Sequence, residues 1–227
     1  MNAKNLRFEV KIPVPLNRLE DILIWLRTHP LMFKNRYKDR YVNSLYLDDP
    51  MMSIYEENLS GVSRRKKVRI RWYKSIIKSK KACLEFKHRI SGKGHKATFP
   101  LSFDLSDSFV TWRELIADCY SQLEDYDKTK WGNSISPVLI CRYHRQYYES
   151  ACGIMRATID SKIQVYDQRS HEKPNTEKSV SLGEYVLLEL KTEHGSEKEL
   201  SALIATCPLR PSRHSKYVLG VRTLFWN

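Results

Sequence analysis

Nowhere in this chain do about 18 apolar residues follow one another, no two cysteines form a CxxC pair, and its seven histidines show no HxxxH or HExxH spacing. The first absence argues against a membrane-spanning helix. The N-terminal MNAKNLRFEVKIPVP likewise has no apolar core of the kind an export signal needs. The other two absences leave no zinc-type motif. Five widely spaced cysteines, an odd number, suggest no disulfide framework. A reducing, cytoplasmic setting is therefore expected. No internal repeat and no low-complexity tract is present, so the chain reads as an ordinary folded protein.

What the sequence has in excess is positive charge. Across 227 residues, 39 Lys and Arg stand against 26 Asp and Glu, a formal +13. That balance favours a polyanionic partner: nucleic acid, an anionic membrane surface or polyphosphate. With 41% hydrophobic residues the chain can bury a sizeable core, and residues 1–227 are expected to form a single domain.

The charge is patterned. Seven of the eleven residues in 64-RRKKVRIRWYK-74 are Lys or Arg, yet Val68, Ile70 and Trp72 alternate with Lys67, Arg69, Arg71 and Tyr73. That is the period of a strand with one apolar and one cationic face. The same alternation marks strands at 6–12, 83–90, 138–148, 154–160 and 185–192, with a further strand at 41–50. Helices are expected after Asn17, where Glu20 completes a capping box, at 51–59, at about 106–123 and over the tail 212–225. Phe109, Val110, Leu115, Ile116 and Tyr120 of the third helix are expected to cover a sheet. The polar stretch 167–183 reads as a surface loop.

The charged faces gather Arg7, Lys11, Lys67, Arg69, Arg71, Lys87, Arg89, Arg156 and Lys191, with Glu9, Glu85, Asp160 and Glu189 among them. Such faces repel one another unless an anion sits between them. An α+β fold follows, in which the strands close into a barrel with a basic interior and the helices pack outside. Guanidinium forks and ammonium points suit a chain of phosphates, and the glutamates suit a divalent cation bridging phosphate oxygens.

Ordered along the chain, 7-RFEVK-11, 42-VNSLYLDDP-50 with Tyr55, 67-KVRIRWY-73, 84-LEFKHR-89, Lys96, 143-YHR-145, 156-RATID-160, 188-LELK-191 and 213-RHSKY-217 resemble the polyphosphate polymerase domain of the vacuolar transporter chaperone (VTC) family, within the triphosphate tunnel metalloenzymes. The resemblance implies a closed eight-stranded antiparallel barrel. It also implies transfer of the γ-phosphate of ATP to a growing inorganic polyphosphate chain, with Mn²⁺ or Mg²⁺ as cofactor.

Carried over by position, Lys11, Arg69, Arg71, Lys87, Arg145, Arg156 and Lys216 would act on the reacting phosphates. Lys96, Arg213 and Ser215 would be further phosphate contacts, beside Lys67, Arg89 and Lys191 on the same strand faces. Glu189 falls at the family's metal-binding carboxylate, with Glu9 and Glu85 as the other candidates.

Arg7 stands where the hydrolytic relatives begin their ExExK motif, which weakens a two-metal hydrolase reading. A tripolyphosphatase or nucleoside triphosphatase and a non-catalytic polyphosphate sensor remain as alternatives. ATP and polyphosphate are the expected partners, nucleic acid is not, and export of polymer would call for a separate membrane protein.

Overall fold

A computed structural model describes the chain apart from residues 1–6, 78–80, 91–92, 108, 126–127, 129–130, 132–135, 194 and 226–227. The expected strand residue Leu6 and helix residue 108 lie outside the described residues. Alternating apolar and polar side chains produce the long strands: β1 (Arg7–Pro15), β2 (Lys34–Asp48), β3 (Arg64–Tyr73), β4 (Ala82–Ile90), β5 (Lys93–Leu101), β6 (Ser136–Glu149), β7 (Met155–Asp167) and β9 (Tyr185–Glu193). A two-residue strand, β8 (Val180–Ser181), sits within the expected loop. The helices are α1 (Leu19–Thr28), α2 (Ser53–Ser60), α3 (Trp112–Ser121), α4 (Glu197–Ala205) and α5 (Lys216–Phe225). Strand β5 and helix α4 were not anticipated from the sequence.

The closed eight-stranded barrel is corrected by the strand pairing. Among the described residues nine strands form a single antiparallel sheet in the order β6-β2-β3-β4-β5-β1-β9-β7-β8. The sheet curls far enough for β6 to pair with β7 as well, but β5 and β1 share only Arg7↔Gly94 among the described residues. The cause is register: Arg7 opens β1 and Gly94 lies next to the start of β5, so the two strands overlap only at their beginnings. Further along β1 the backbone of Lys11 accepts instead from Ser212 N at 3.0 Å, in the connection between α4 and α5.

The apolar faces of the strands pack outward against helices in two clusters. One joins β2, β3, β4 and β6 to α3 through Leu45, Ile70, Trp72, Leu84 and Leu115, and it is continuous with Tyr217, Val218 and Val221 of α5, which sits on the inner-face residues Tyr46 and Leu139. The other joins β1, β7 and β9 to α1 and α4 through Ile12, Ile22, Leu26, Leu188 and Leu203. At about 25 cal/mol per Å² of apolar surface removed from water, these faces fix the register, because a one-residue slip would turn every charged side chain into them.

Two details differ from expectation. In α3 it is Trp112, Leu115 and Cys119 that are buried, while Phe109 and Tyr120 are exposed. The helix starts only at Trp112, behind a Thr111–Glu114 capping box, which leaves Phe109 outside it. Asn17 does not cap α1, because a 3₁₀ turn over Leu16–Arg18 precedes that helix.

Helix α5 closes one mouth of the curl. A Cβ added at Gly220 would lie 2.9 Å from Leu139 Cδ2 and 3.0 Å from Val165 Cγ1, so only glycine lets the helix sit this close to β6 and β7. The close approach delivers the first residue of the helix, Lys216, into the hollow.

Candidate functional site

Ion pairs between strands that are not neighbours show that the charged faces look at one another across the curl. Lys87 of β4 reaches Glu9 of β1 at 3.1 Å, and Lys67 of β3 donates to Ser215 Oγ at 2.7 Å, just before α5. The cations Lys11, Lys67, Arg69, Arg71, Lys87, Lys96, Arg145, Lys191 and Lys216 share this space with the carboxylates of Glu9, Glu85, Asp160 and Glu189.

The deepest part is a four-membered network. Asp160 takes Arg145 on both oxygens, at 2.5 and 2.6 Å, and Lys216 at 2.5 Å. Arg145 and Lys216 also reach Glu189, at 3.2 and 3.3 Å. Burial pushes the Asp160 carboxyl upward, but Arg145 and Lys216 reverse this and hold it below its ordinary value. Glu189 is likewise held well below the carboxylate range, burial being overcome by Lys191, Lys216, Arg145 and Lys11.

A second group surrounds Glu85. Arg69 pairs with it at 2.6 Å and also reaches Tyr46 OH, while Lys96 approaches from the rim at 3.2 Å. Arg71 donates to Ser44 Oγ and Tyr143 OH.

Between the two groups positive charge is in excess. Burial, with Lys11, Lys87 and Arg69 nearby, holds the Lys67 ammonium well below the usual lysine range. Lys87 is brought down to about 8, chiefly by burial, with Lys11, Lys191 and Arg69 adding to it against the attraction of Glu9. His214, whose carbonyl accepts from Lys11, is lowered to about 4 by burial and then by Lys216 and Lys11, so its ring is neutral. A lysine with a depressed folded-state pKa costs stability while protonated. That cost disappears between about pH 8 and the unfolded value near 10.4. An added anion acts in the opposite direction and restores the proton.

Three of the expected site residues lie at the edge of this cluster. Arg213 is exposed and donates to Asn58 O and Leu59 O, where it neutralises the C-terminus of α2. Arg89 is exposed near the end of β4. Arg156 pairs with Glu149 at 3.3 Å and Glu193 at 3.6 Å near the start of β7.

The three proposed metal carboxylates do not converge. Glu9 and Glu189 share Lys11 and Lys191, whereas Glu85 belongs to the Arg69 group. Among the described residues no three His, Cys, Asp or Glu stand where they could hold a metal. Glu189 Oε1 faces Lys216 and Lys11, and Oε2 faces Lys191 and Arg145. Glu189 would therefore take a divalent cation only once phosphates draw those lysines and the arginine away from it, the ion then having most of its ligands from phosphate and water and one or two from protein, the habit of magnesium.

The sequence reading put Asp160 on the charged face without giving it a role, and it passed over Asp48. Asp48 is fully buried and accepts from Ile54 N, Tyr55 N and Tyr217 OH at 2.9, 2.8 and 2.5 Å. Tyr217 stacks on Tyr46, ring centroids 5.0 Å apart. The run Ser215-Lys216-Tyr217 thus ties α5 to β3, to the buried network and to β2 in turn.

The model of the VTC domain matches residues 6–225, and the chain belongs to that family. Solved structures with a similar fold include a candidate adenylate cyclase from Vibrio parahaemolyticus, 10% identical over 95% of this chain and 97% of that one, TM-score 0.52. A protein from Pyrococcus horikoshii OT3 is 13% identical over 96% and 99%, TM-score 0.50. Comparison with curated proteins gave no match. Among the described residues no helix is long and apolar enough to cross a membrane.

Proposed function

We propose that the protein is a polyphosphate polymerase, transferring the γ-phosphate of ATP to the end of an inorganic polyphosphate chain. The observation that carries this is the crowding of cations between the two groups: Lys67 has Ser215 Oγ rather than a carboxylate as its partner, and Lys87, Lys11 and Lys191 all draw on Glu9, which leaves both Lys67 and Lys87 with lowered pKa values. Phosphates supply the missing negative charge and accept donation from Arg71, whose protein partners are mainly hydroxyls, and from the N–H groups of Arg69 and Arg145 that Glu85 and Asp160 leave unused. Membership of the VTC family supports the same substrates.

Phosphoryl transfer depends mainly on alignment and charge stabilisation. The two groups are suited to hold two phosphate chains end to end, the Arg145–Lys216 group on one and the Arg69–Arg71 group on the other. A terminal phosphate is already ionised near neutral pH, so no protein base is required. Lys67 and Lys87 lie between the groups, where negative charge builds up on the transferring unit. Mn²⁺ or Mg²⁺, held by Glu189 with Glu9 and by the phosphates, would supply further charge neutralisation.

The test is an assay of purified protein with ATP and Mn²⁺ or Mg²⁺, resolving ADP, orthophosphate and polyphosphate. ADP matched by growing polymer with little orthophosphate is expected, falling at least about a hundredfold in Arg69→Ala, as for loss of one transition-state donor. ADP with equal orthophosphate would make the protein a hydrolase. No ADP, with retained polyphosphate binding, would make it a sensor.

A further inference from the structure

Beyond the central cluster, at the mouth opposite α5, stands a cation that the sequence reading did not single out. Arg40 of β2 lies directly opposite Arg145 of β6 in the register, on the same face. Like charges so placed are unfavourable unless each is compensated. Arg145 has Asp160 and Glu189. Arg40 has no carboxylate among the described residues. Its Nε donates to Tyr147 OH at 3.0 Å, and its guanidinium lies over the Tyr73 ring at 4.0 Å and the Tyr147 ring at 5.2 Å.

A second, independent feature adjoins it. Thr158 of β7 is directly opposite Tyr147 on one side and Glu189 on the other, so its side chain shares the inner face. Its hydroxyl is buried and makes no hydrogen bond. A buried donor without an acceptor costs free energy, and an anion held between Arg40 and Thr158 gives the hydroxyl an acceptor and the guanidinium a counter-ion.

We propose that Arg40 and Thr158, framed by Tyr73 and Tyr147, form an outer anion subsite. It holds the units of a polyphosphate chain that extend past the central cluster through the mouth opposite α5. This rests on the polyphosphate reading of the central site and adds a direction to it. With α5 packed against β6 and β7 at the other end, a long chain lies with its far portion against Arg40. The planar guanidinium, already oriented by the two tyrosines, offers its unused N–H groups to successive phosphate oxygens.

The subsite predicts a dependence on chain length. Equilibrium binding of tripolyphosphate, a long-chain polyphosphate and ATP is to be compared for the wild type, Arg40→Gln and Thr158→Val, with thermal unfolding as the check on folding. Arg40→Gln is expected to weaken the long chain by about tenfold, the size of one lost charge-assisted hydrogen bond, and to leave tripolyphosphate within roughly twofold. Thr158→Val is expected to act in the same direction by less. Arg40→Lys, which keeps the charge, recovers part of the loss and serves if the Gln variant does not fold.

Equal weakening of tripolyphosphate and the long chain, or no change in either, overturns the subsite. Selective weakening of ATP overturns it in favour of a nucleobase platform. If the wild type binds none of the three anions, the polyphosphate reading itself fails and the subsite falls with it.

Discussion

Asp160→Ala is expected to lower the unfolding free energy by about 3–5 kcal/mol, the cost of breaking a buried ion pair by removing one partner. Asp160 is fully buried, and its loss leaves Arg145 and Lys216 sharing Glu189 alone. Urea denaturation near neutral pH measures the effect. The sign of its pH dependence follows from the lowered folded-state pKa of this carboxyl. Its stabilisation is fully present above the unfolded value near 3.9 and is lost as the pH falls through the lower folded value. Wild type and variant therefore differ most above about pH 4 and converge in stronger acid. Tripolyphosphate should restore part of the lost stability, because it gives the two stranded cations an anion. A difference below about 1 kcal/mol would show that Arg145 and Lys216 do not depend on Asp160.

Asp48→Ala tests how the helix that carries Lys216 is held. The substitution leaves Ile54 N, Tyr55 N and Tyr217 OH without their acceptor, all in the interior. At about 1–3 kcal/mol for each buried unsatisfied group, a loss of at least about 3 kcal/mol is expected. Because Tyr217 follows Lys216 directly, the affinity for phosphate should fall together with stability. Tyr217→Phe removes only the hydroxyl and keeps the stack on Tyr46, so it should cost about 1–2 kcal/mol. Retention of wild-type phosphate affinity by a folded Asp48→Ala would mean that α5 is positioned by its packing on β6 and β7 alone.

The long strands were legible because burial on one side and charge on the other impose a period of two. The cationic inner face was legible for the same reason, and Lys11, Lys67, Arg69, Arg71 and Lys87 share one space; Arg145, which joins them, came from the family resemblance rather than from the period. Period, however, gives a side chain's face and not its depth. Arg156 and Asp160 share a face, yet Arg156 is at the end of its strand and Asp160 at the centre of the network. Arg40 was hidden because the first half of β2, KNRYKDR, is polar throughout, and register shifts between Asn35, Tyr37 and Arg40 defeat a count of alternate residues. In β5, Gly94, Ala97 and Pro100 blur the alternation. Asp48 looked like a turn residue, since its partner Tyr217 is 169 positions away. Closure of the sheet depended on the offset between β1 and β5, which neither strand's own sequence encodes.

The most direct test of the central claim, that this hollow is short of negative charge until phosphate enters, is calorimetric titration with tripolyphosphate at about pH 8 in buffers of different ionisation enthalpy. Anion binding raises the depressed pKa values of Lys87 and Lys67, so binding with net uptake of protons is predicted, and the affinity should fall as the pH rises through about 8. No binding, or binding with no proton uptake, would contradict it.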